Sequence, residues 1–198
     1  MTTPNGERKM NNKAFKKWLK EKNACESGVK WVGKRDLRKT WDELDNPAWL
    51  GWLARHCGVE KKPFVSIACE CARLALPFVK KGENRPLKAI ETAEKWIRGE
   101  ATEAECRTAA DAAYADAADD AADASADDAA DAAAAAYAAA YAATAATAAD
   151  ASAAAYAAAA AAAAAYADAS AAAKRTEFRK KCCDIYRKHI RFEDLKPQ

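Results

Sequence analysis

AADAAYADAADDAADASADDAADAAAAAYAAAYAATAATAADASAAAYAAAAAAAAAYADASAAA runs from Ala109 to Ala173, and its reading decides the fold. Of its 65 residues, 45 are alanine, ten aspartate, five tyrosine, three serine and two threonine. It holds no glycine, proline, lysine or arginine, and no leucine, isoleucine, valine or phenylalanine. Ordering costs alanine no side-chain entropy, which gives it the best helix propensity. The stretch is therefore predicted to be helical. A single rod would measure about 97 Å at 1.5 Å per residue. Helices of that length belong mostly to coiled coils, whose large a and d residues are missing here. The tract is expected to fold back into two or three closely packed helices, with backbones approaching to about 8 Å. Without glycine or proline, the turns fall to short polar caps. Breaks are expected near 123–128, around Asp123-Ala124-Ser125 and Asp127-Asp128, and near 150, at Asp150-Ala151-Ser152.

The acid in the tract is patterned. At 100° per residue, Asp116, Asp119, Asp120, Asp123, Asp127 and Asp131 fall within about 120° of one another on an unbroken helix. Such a stripe reads as a solvated face that keeps a polyalanine helix soluble. It also reads as a docking face for a basic surface, and on that reading these six aspartates are the candidate partner-binding residues. Tyr137 and Tyr141 are i, i+4 neighbours on one face, with Tyr156 and Tyr166 separate. Each tyrosine is expected to fill a gap between alanine helices and keep its hydroxyl wet.

The flanks are also helical in pattern. Residues 1–11 read as a disordered tail. Asn12 is expected to cap a lysine-rich helix carrying Phe15, Trp18 and Leu19. A short helix over Cys25 to Val32 stops at Gly33. Asp36 caps the next, with Leu37, Trp41 and Leu44 on one face. Asn46-Pro47 starts a helix with Trp49, Trp52, Leu53 and His56 at helical spacing, and Gly58 closes it. Pro63 opens PFVSIACECARLALPFV, apolar nearly all round and so predicted to be central and buried. Pro86 starts another helix, with Leu87, Ile90, Trp96 and Ile97 inward and Gly99 as its stop. Thr102-Glu103-Ala104-Glu105 is a capping box leading into the alanine tract. Beyond the tract, Lys174 to Phe192 continues as a basic helix with Phe178, Cys182, Ile185, Tyr186, His189 and Ile190 on its apolar face. The six tryptophans are read as core.

The pattern contains no strand, and the expected fold class is all-α: a compact helical bundle. By composition the chain divides into a tail at 1–11, a Trp-rich helical region at 12–100, Ala/Asp-rich helices at 101–173 and a basic helix at 174–198, together forming one domain. The alanine helices are expected to pack on the helix 64–76, with 174–192 closing the bundle. Leu74, Leu76, Ile90, Phe178, Ile185 and Ile190 would supply the large side chains.

The net charge of +3 hides a strong segregation. Residues 1–100 carry 22 basic and 13 acidic side chains, 101–173 carry one and 12, and 174–198 carry nine and four. Two basic flanks thus bracket a middle of net −11. The overall charge is too near neutral to argue for nucleic-acid binding on its own. Seven cysteines without a CxxC pair and two histidines, His56 and His189, make a zinc site unexpected and suggest buried thiols in a reducing compartment. The polar, lysine-rich N-terminus lacks the apolar core of a signal peptide. Ala149 to Ala167, weakly hydrophobic and bounded by Asp150 and Asp168, is a poor membrane span. A cytoplasmic protein with no cofactor, metal or catalytic residue is expected. His56 and Cys57 are adjacent, so on a helix they diverge by about 100° and cannot act as base and nucleophile. His56 is read instead as a helix-end histidine near the carbonyl dipole.

Several blocks carry a resemblance: ACESGVKWV, TWDELDNPAWLGWLARHCG, SIACECARLALPFV and ENRPLKAIETAEKWIRGEAT, followed by alanine with interspersed Asp and Tyr. In this order they resemble a family of phage and bacterial genomes labelled putative immunity protein. The resemblance is sharpest around Trp49–Trp52, Cys69–Arg73 and Arg85–Gly99. It implies a non-enzymatic protein that binds and neutralises a protein partner, a toxin or a host defence component, in a bacterial or phage-infected cell. A different reading is a phage antagonist of CRISPR or restriction systems, with the Asp stripe acting as a local nucleic-acid mimic. A third is nucleic-acid binding by Lys13–Lys22 and Lys174–Arg191. Ice binding would need a regular threonine array, which Thr144 and Thr147 do not make.

Overall fold

The computed structural model describes residues 10–122, 137–146 and 171–197, and the side chains of 10–117, 137–146 and 176–197. All regular structure among the described residues is helical. They fall into two compact units, Met1–Leu44 and Asp45–Gln198.

The first unit holds α1 (Asn12–Glu21), α2 (Glu26–Val32) and α3 (Leu37–Glu43). Asn11, not Asn12, is the cap of α1, accepting from the Ala14 amide at 3.0 Å. The side-chain amide of Asn12 instead donates to the Gly33 and Arg35 carbonyls, tying α1 to the loop after α2. That loop turns at Gly33 with φ +53°, where a Cβ would be strained. Asp36 caps α3 through the Lys39 amide at 2.8 Å. Phe15, Trp18, Leu19, Val32, Leu37, Trp41 and Leu44 are all buried.

The second unit holds α4 (Pro47–His56), α5 (Lys61–Arg73), a 3-10 turn (Leu76–Phe78), α6 (Arg85–Arg98), α7 (Glu103–Ala122), α8 (residues 137–146), α9 (Ala171–His189) and a 3-10 turn (Phe192–Asp194). Asn46 caps α4 as its sequence dictates, accepting from the Ala48 and Trp49 amides. Gly99 ends α6 in the left-handed region. The Thr102–Glu105 box is closed in both directions: the Glu105 amide donates to Thr102 Oγ1 at 3.2 Å, and the Thr102 amide to Glu105 Oε2 at 2.7 Å.

α5 is the centre of this unit. It starts two residues before Pro63 and buries Phe64, Val65, Ile67, Ala68, Cys69, Cys71 and Ala72, more than one face. It packs on α6, and on another side against α9, which also covers α4. α6 in turn packs on α7. Among the described residues, α7, the first helix of the alanine tract, has α6 as its neighbour. Buried thiols mark both contacts of α6: Cys69 of α5 donates to the Ile90 carbonyl at 3.9 Å, and Cys106 of α7 to the Thr92 carbonyl at 3.7 Å.

Close approach of that kind changes which residues face inward. α6 buries Pro86, Ala89, Ile90 and Ala93, while Leu87, Trp96 and Ile97 are half-buried. α7 meets it with Cys106, Ala110, Ala113 and Ala117. α4 likewise buries Leu50, Gly51, Leu53 and Ala54 and leaves Trp49 and Trp52 half out. Gly51 sits beneath the Tyr186 ring, where a Cβ would lie 2.8 Å from the phenol oxygen. Of the six tryptophans only Trp18 and Trp41 are core; Trp31, Trp49, Trp52 and Trp96 are half-buried. Arg35 stacks on Trp31 and Lys61 lies over Trp96, keeping aromatic area useful at the surface. Leu74, Leu76, Phe178 and Ile185, expected as core, are also half-buried, whereas Ile90, Cys182, Cys183, Tyr186 and Ile190 are sealed.

Candidate partner-binding surface

Tyr114 of α7 meets both tyrosines of α8. Its ring centroid lies 6.0 Å from that of Tyr137, tilted by 59°, and 5.8 Å from that of Tyr141, edge-on at 88°. Twenty-three residues of unbroken helix would hold Tyr114 and Tyr137 about 35 Å apart, so the tract doubles back between them. The expected breaks near 123–128 and near 150 lie outside the described residues.

Seven of the ten residues of α8 are alanines no more than 3 % exposed, including three in succession, Ala138, Ala139 and Ala140. The helix is enclosed on all but one face. That face is Tyr137, Tyr141 and Thr144, an i, i+4, i+7 set within about 60°. Thr144 donates to the Tyr141 carbonyl at 3.0 Å, and its hydroxyl also hydrogen-bonds the Tyr114 phenol. Burial raises the Tyr114 hydroxyl above its ordinary value, and the nearby Tyr141, Tyr137 and Asp111 add to the rise. Tyr114 and Tyr141 fill the space between helices, as tyrosines in an alanine interface are expected to. Tyr137 does not: it stays 37 % exposed.

Of the six aspartates read as a stripe, Asp116 faces inward. Its side chain is 3 % exposed and accepts from Arg85 Nη2 at 2.8 Å. The same nitrogen donates to Glu83 Oε2 at 2.8 Å, and the Arg85 amide to Glu83 Oε1 at 2.7 Å. Asp116 is thus a structural carboxylate and not part of an exposed row. The Arg85 hydrogen bonds, working against partial burial, hold the Glu83 carboxyl down at about 2. Asp119 and Asp120 lie on α7. Asp123, Asp127 and Asp131 fall outside the described residues.

The histidines, Glu70 and every cysteine but Cys25 are held within the fold. His56 stacks on Trp52 at 4.1 Å and donates from Nδ1 to the Trp52 carbonyl at 2.8 Å, as a helix-end histidine would. Burial pushes the Cys57 thiol up to about 12. Cys71 hydrogen-bonds Cys182 between α5 and α9, and that bond, with burial, raises it further. Cys25 alone is exposed, and the Ser27 side chain and Gly28 amide lower its thiol. Glu70 binds α9 through Lys188 Nζ at 2.8 Å and His189 Nε2 at 2.7 Å. Burial acts to raise Glu70, but those two hydrogen bonds outweigh it and leave its carboxyl below the usual range. Among the described residues no group of three His, Cys, Asp or Glu side chains is placed to hold a metal ion. No described helix is long and apolar enough to cross a membrane.

The family model for the Imm-5 like putative immunity protein matches residues 59–188, about two thirds of the chain, and the protein belongs to that family. The match covers the segments from α5 through most of α9, and so includes the Tyr114–Tyr137–Tyr141 cluster and the Arg85–Asp116 pair. No curated protein and no solved structure matches the chain.

Proposed function

We propose that this chain neutralises a protein toxin by binding it one to one, without chemistry, in the cytoplasm of a bacterium or a phage-infected cell. Membership of an immunity family carries the reading. The segregated charge supports it: residues 101–173 are net −11, a field that draws in a basic partner and raises its rate of encounter. The aspartates of the tract outside the Arg85 pair, Asp119 and Asp120 with Asp123, Asp127 and Asp131, supply much of that field. Mimicry of nucleic acid is the weaker reading, since Asp116, one of the six charges in the proposed row, is spent inside the fold.

Affinity capture with the tagged chain in its native host, read by mass spectrometry, should recover one dominant protein whose growth-inhibiting effect is relieved by co-expressing this chain. Recovery of nothing above background would refute the reading. Binding insensitive to salt would refute the electrostatic part of it.

A further inference from the structure

Tyr137 is the exposed member of the tyrosine cluster between α7 and α8. A tyrosine serving only as filler is covered, as Tyr186 is at 0 % exposure, yet Tyr137 is the large apolar side chain the described residues leave exposed. Tyr114 and Tyr141 back it, so its ring is held at one place at little entropic cost, a property of anchors at protein interfaces. Asp111 is exposed beside Tyr114 and close enough to act on its hydroxyl. The only cation of residues 101–173 is Arg107, one turn before Asp111. Aromatic faces are electronegative, and a carboxylate at their edge deepens the potential. A guanidinium matches both, stacking on a ring while its fork meets a carboxylate.

We propose that Tyr137, with Tyr114, Tyr141 and Asp111, is the centre of the docking surface for the toxin, and that the toxin presents an arginine-bearing basic face to it. This rests on the reading that the chain binds a protein toxin, and adds where and by what chemistry. An anionic partner is disfavoured by the −11 charge of residues 101–173. A second copy of this chain, which carries basic flanks of its own, is the competing occupant.

The full-length chain, carrying 13C in its tyrosine rings, is titrated by NMR with an acetylated peptide alternating arginine and glycine, and with its glutamate counterpart. The arginine peptide is expected to move the Tyr137 ring signals saturably and less strongly as salt rises. Tyr137→Ala should weaken it by about fivefold, while Tyr137→Phe retains binding because the ring acts and not the hydroxyl. Equal binding by Tyr137→Ala, or equal binding of the glutamate peptide, overturns the proposal. So does a concentration-dependent dimer in sedimentation that Tyr137→Ala abolishes, since the patch would then be an interface between copies. Capture of the toxin by wild type and by Tyr137→Ala alike removes this surface and leaves neutralisation standing. A chain that captures no toxin but binds the arginine peptide at Tyr137 refutes neutralisation and retains the cation-binding surface.

Discussion

Arg85→Ala should loosen the contact between α6 and α7. Its guanidinium joins a carboxylate that is 3 % exposed, on α7, to the start of α6, and holds Glu83 with the same nitrogen. Removing one partner of a buried ion pair costs about 3–5 kcal/mol, because the other charge stays desolvated. Arg85 is itself 35 % exposed, so water can take up part of its role, and the loss should be about 2–4 kcal/mol. Asp116→Asn removes the buried charge and leaves the arginine to water and Glu83, and should cost less, about 1–2 kcal/mol. Urea titration followed by tryptophan fluorescence measures both. The pH dependence separates lost pairing from lost packing. In the wild type, Glu83 sits at about 2 when folded against an ordinary 4.5. A carboxylate lowered in this way stabilises fully above the unfolded value, and that contribution is lost as pH falls from about 4.5 toward 2. In Arg85→Ala, Asp116 is a buried carboxylate deprived of this guanidinium. Its folded pKa rises above the unfolded one, so the variant gains stability on acidification. The gap between the two proteins should therefore narrow from pH 7 to pH 4. A deficit under about 0.5 kcal/mol at pH 7, or one that does not narrow, would refute the assignment of Asp116 as a buried partner of Arg85.

Gly51→Ala should destabilise by about 1–2 kcal/mol despite alanine's better helix propensity, because its Cβ would meet the Tyr186 oxygen at 2.8 Å. Tyr186→Phe should rescue it, since the next ring atom is 3.4 Å away. Alone, Tyr186→Phe should stabilise by up to about 1 kcal/mol, its buried hydroxyl having no hydrogen-bond partner among the described residues; thermal melts of the three variants test the set. Ala145→Leu, at a position 3 % exposed, should cost about 1–3 kcal/mol by overpacking, read from the same melts. With a thiol reagent under native conditions, one of the seven cysteines, Cys25, should react fast; urea should release the other six. Fast modification of more than one would contradict the burial of Cys57, Cys69, Cys71, Cys106, Cys182 and Cys183.

Much of this architecture was legible because caps are local. Asp36, Asn46, Gly99 and the Thr102–Glu105 box act on amides and dihedrals a few residues away, and each sits where its spacing placed it. The doubling back of the tract followed from the lack of large side chains. What periodicity misjudged was orientation. It assigned the largest residues of α4 and α6 to the core, but these helices meet partners at close range, and close range selects Gly51, Ala89 and Ala93. Asp116 was misjudged for a related reason. The stripe is a property of one helix, whereas the Arg85 that claims Asp116 is 31 positions away and announces itself only as the residue before Pro86. The exposure of Tyr137 had no sequence signal separating it from Tyr141, four residues on.

The enclosure of α8 also bears on heredity. A single base change in an alanine codon gives serine, threonine, proline, glycine, valine, aspartate or glutamate. At the seven sealed positions of α8, valine and threonine add bulk to a packed contact, aspartate and glutamate bury a charge, and proline breaks the helix. Only serine and glycine fit, each at some loss of helix propensity. Variation in this segment is therefore funnelled onto Tyr137, Tyr141 and Thr144, of which Tyr137 alone is exposed and the other two pack against Tyr114. A lineage under pressure to recognise a changed partner would have Tyr137 to rewrite first, and could rewrite it without disturbing the alanines behind it.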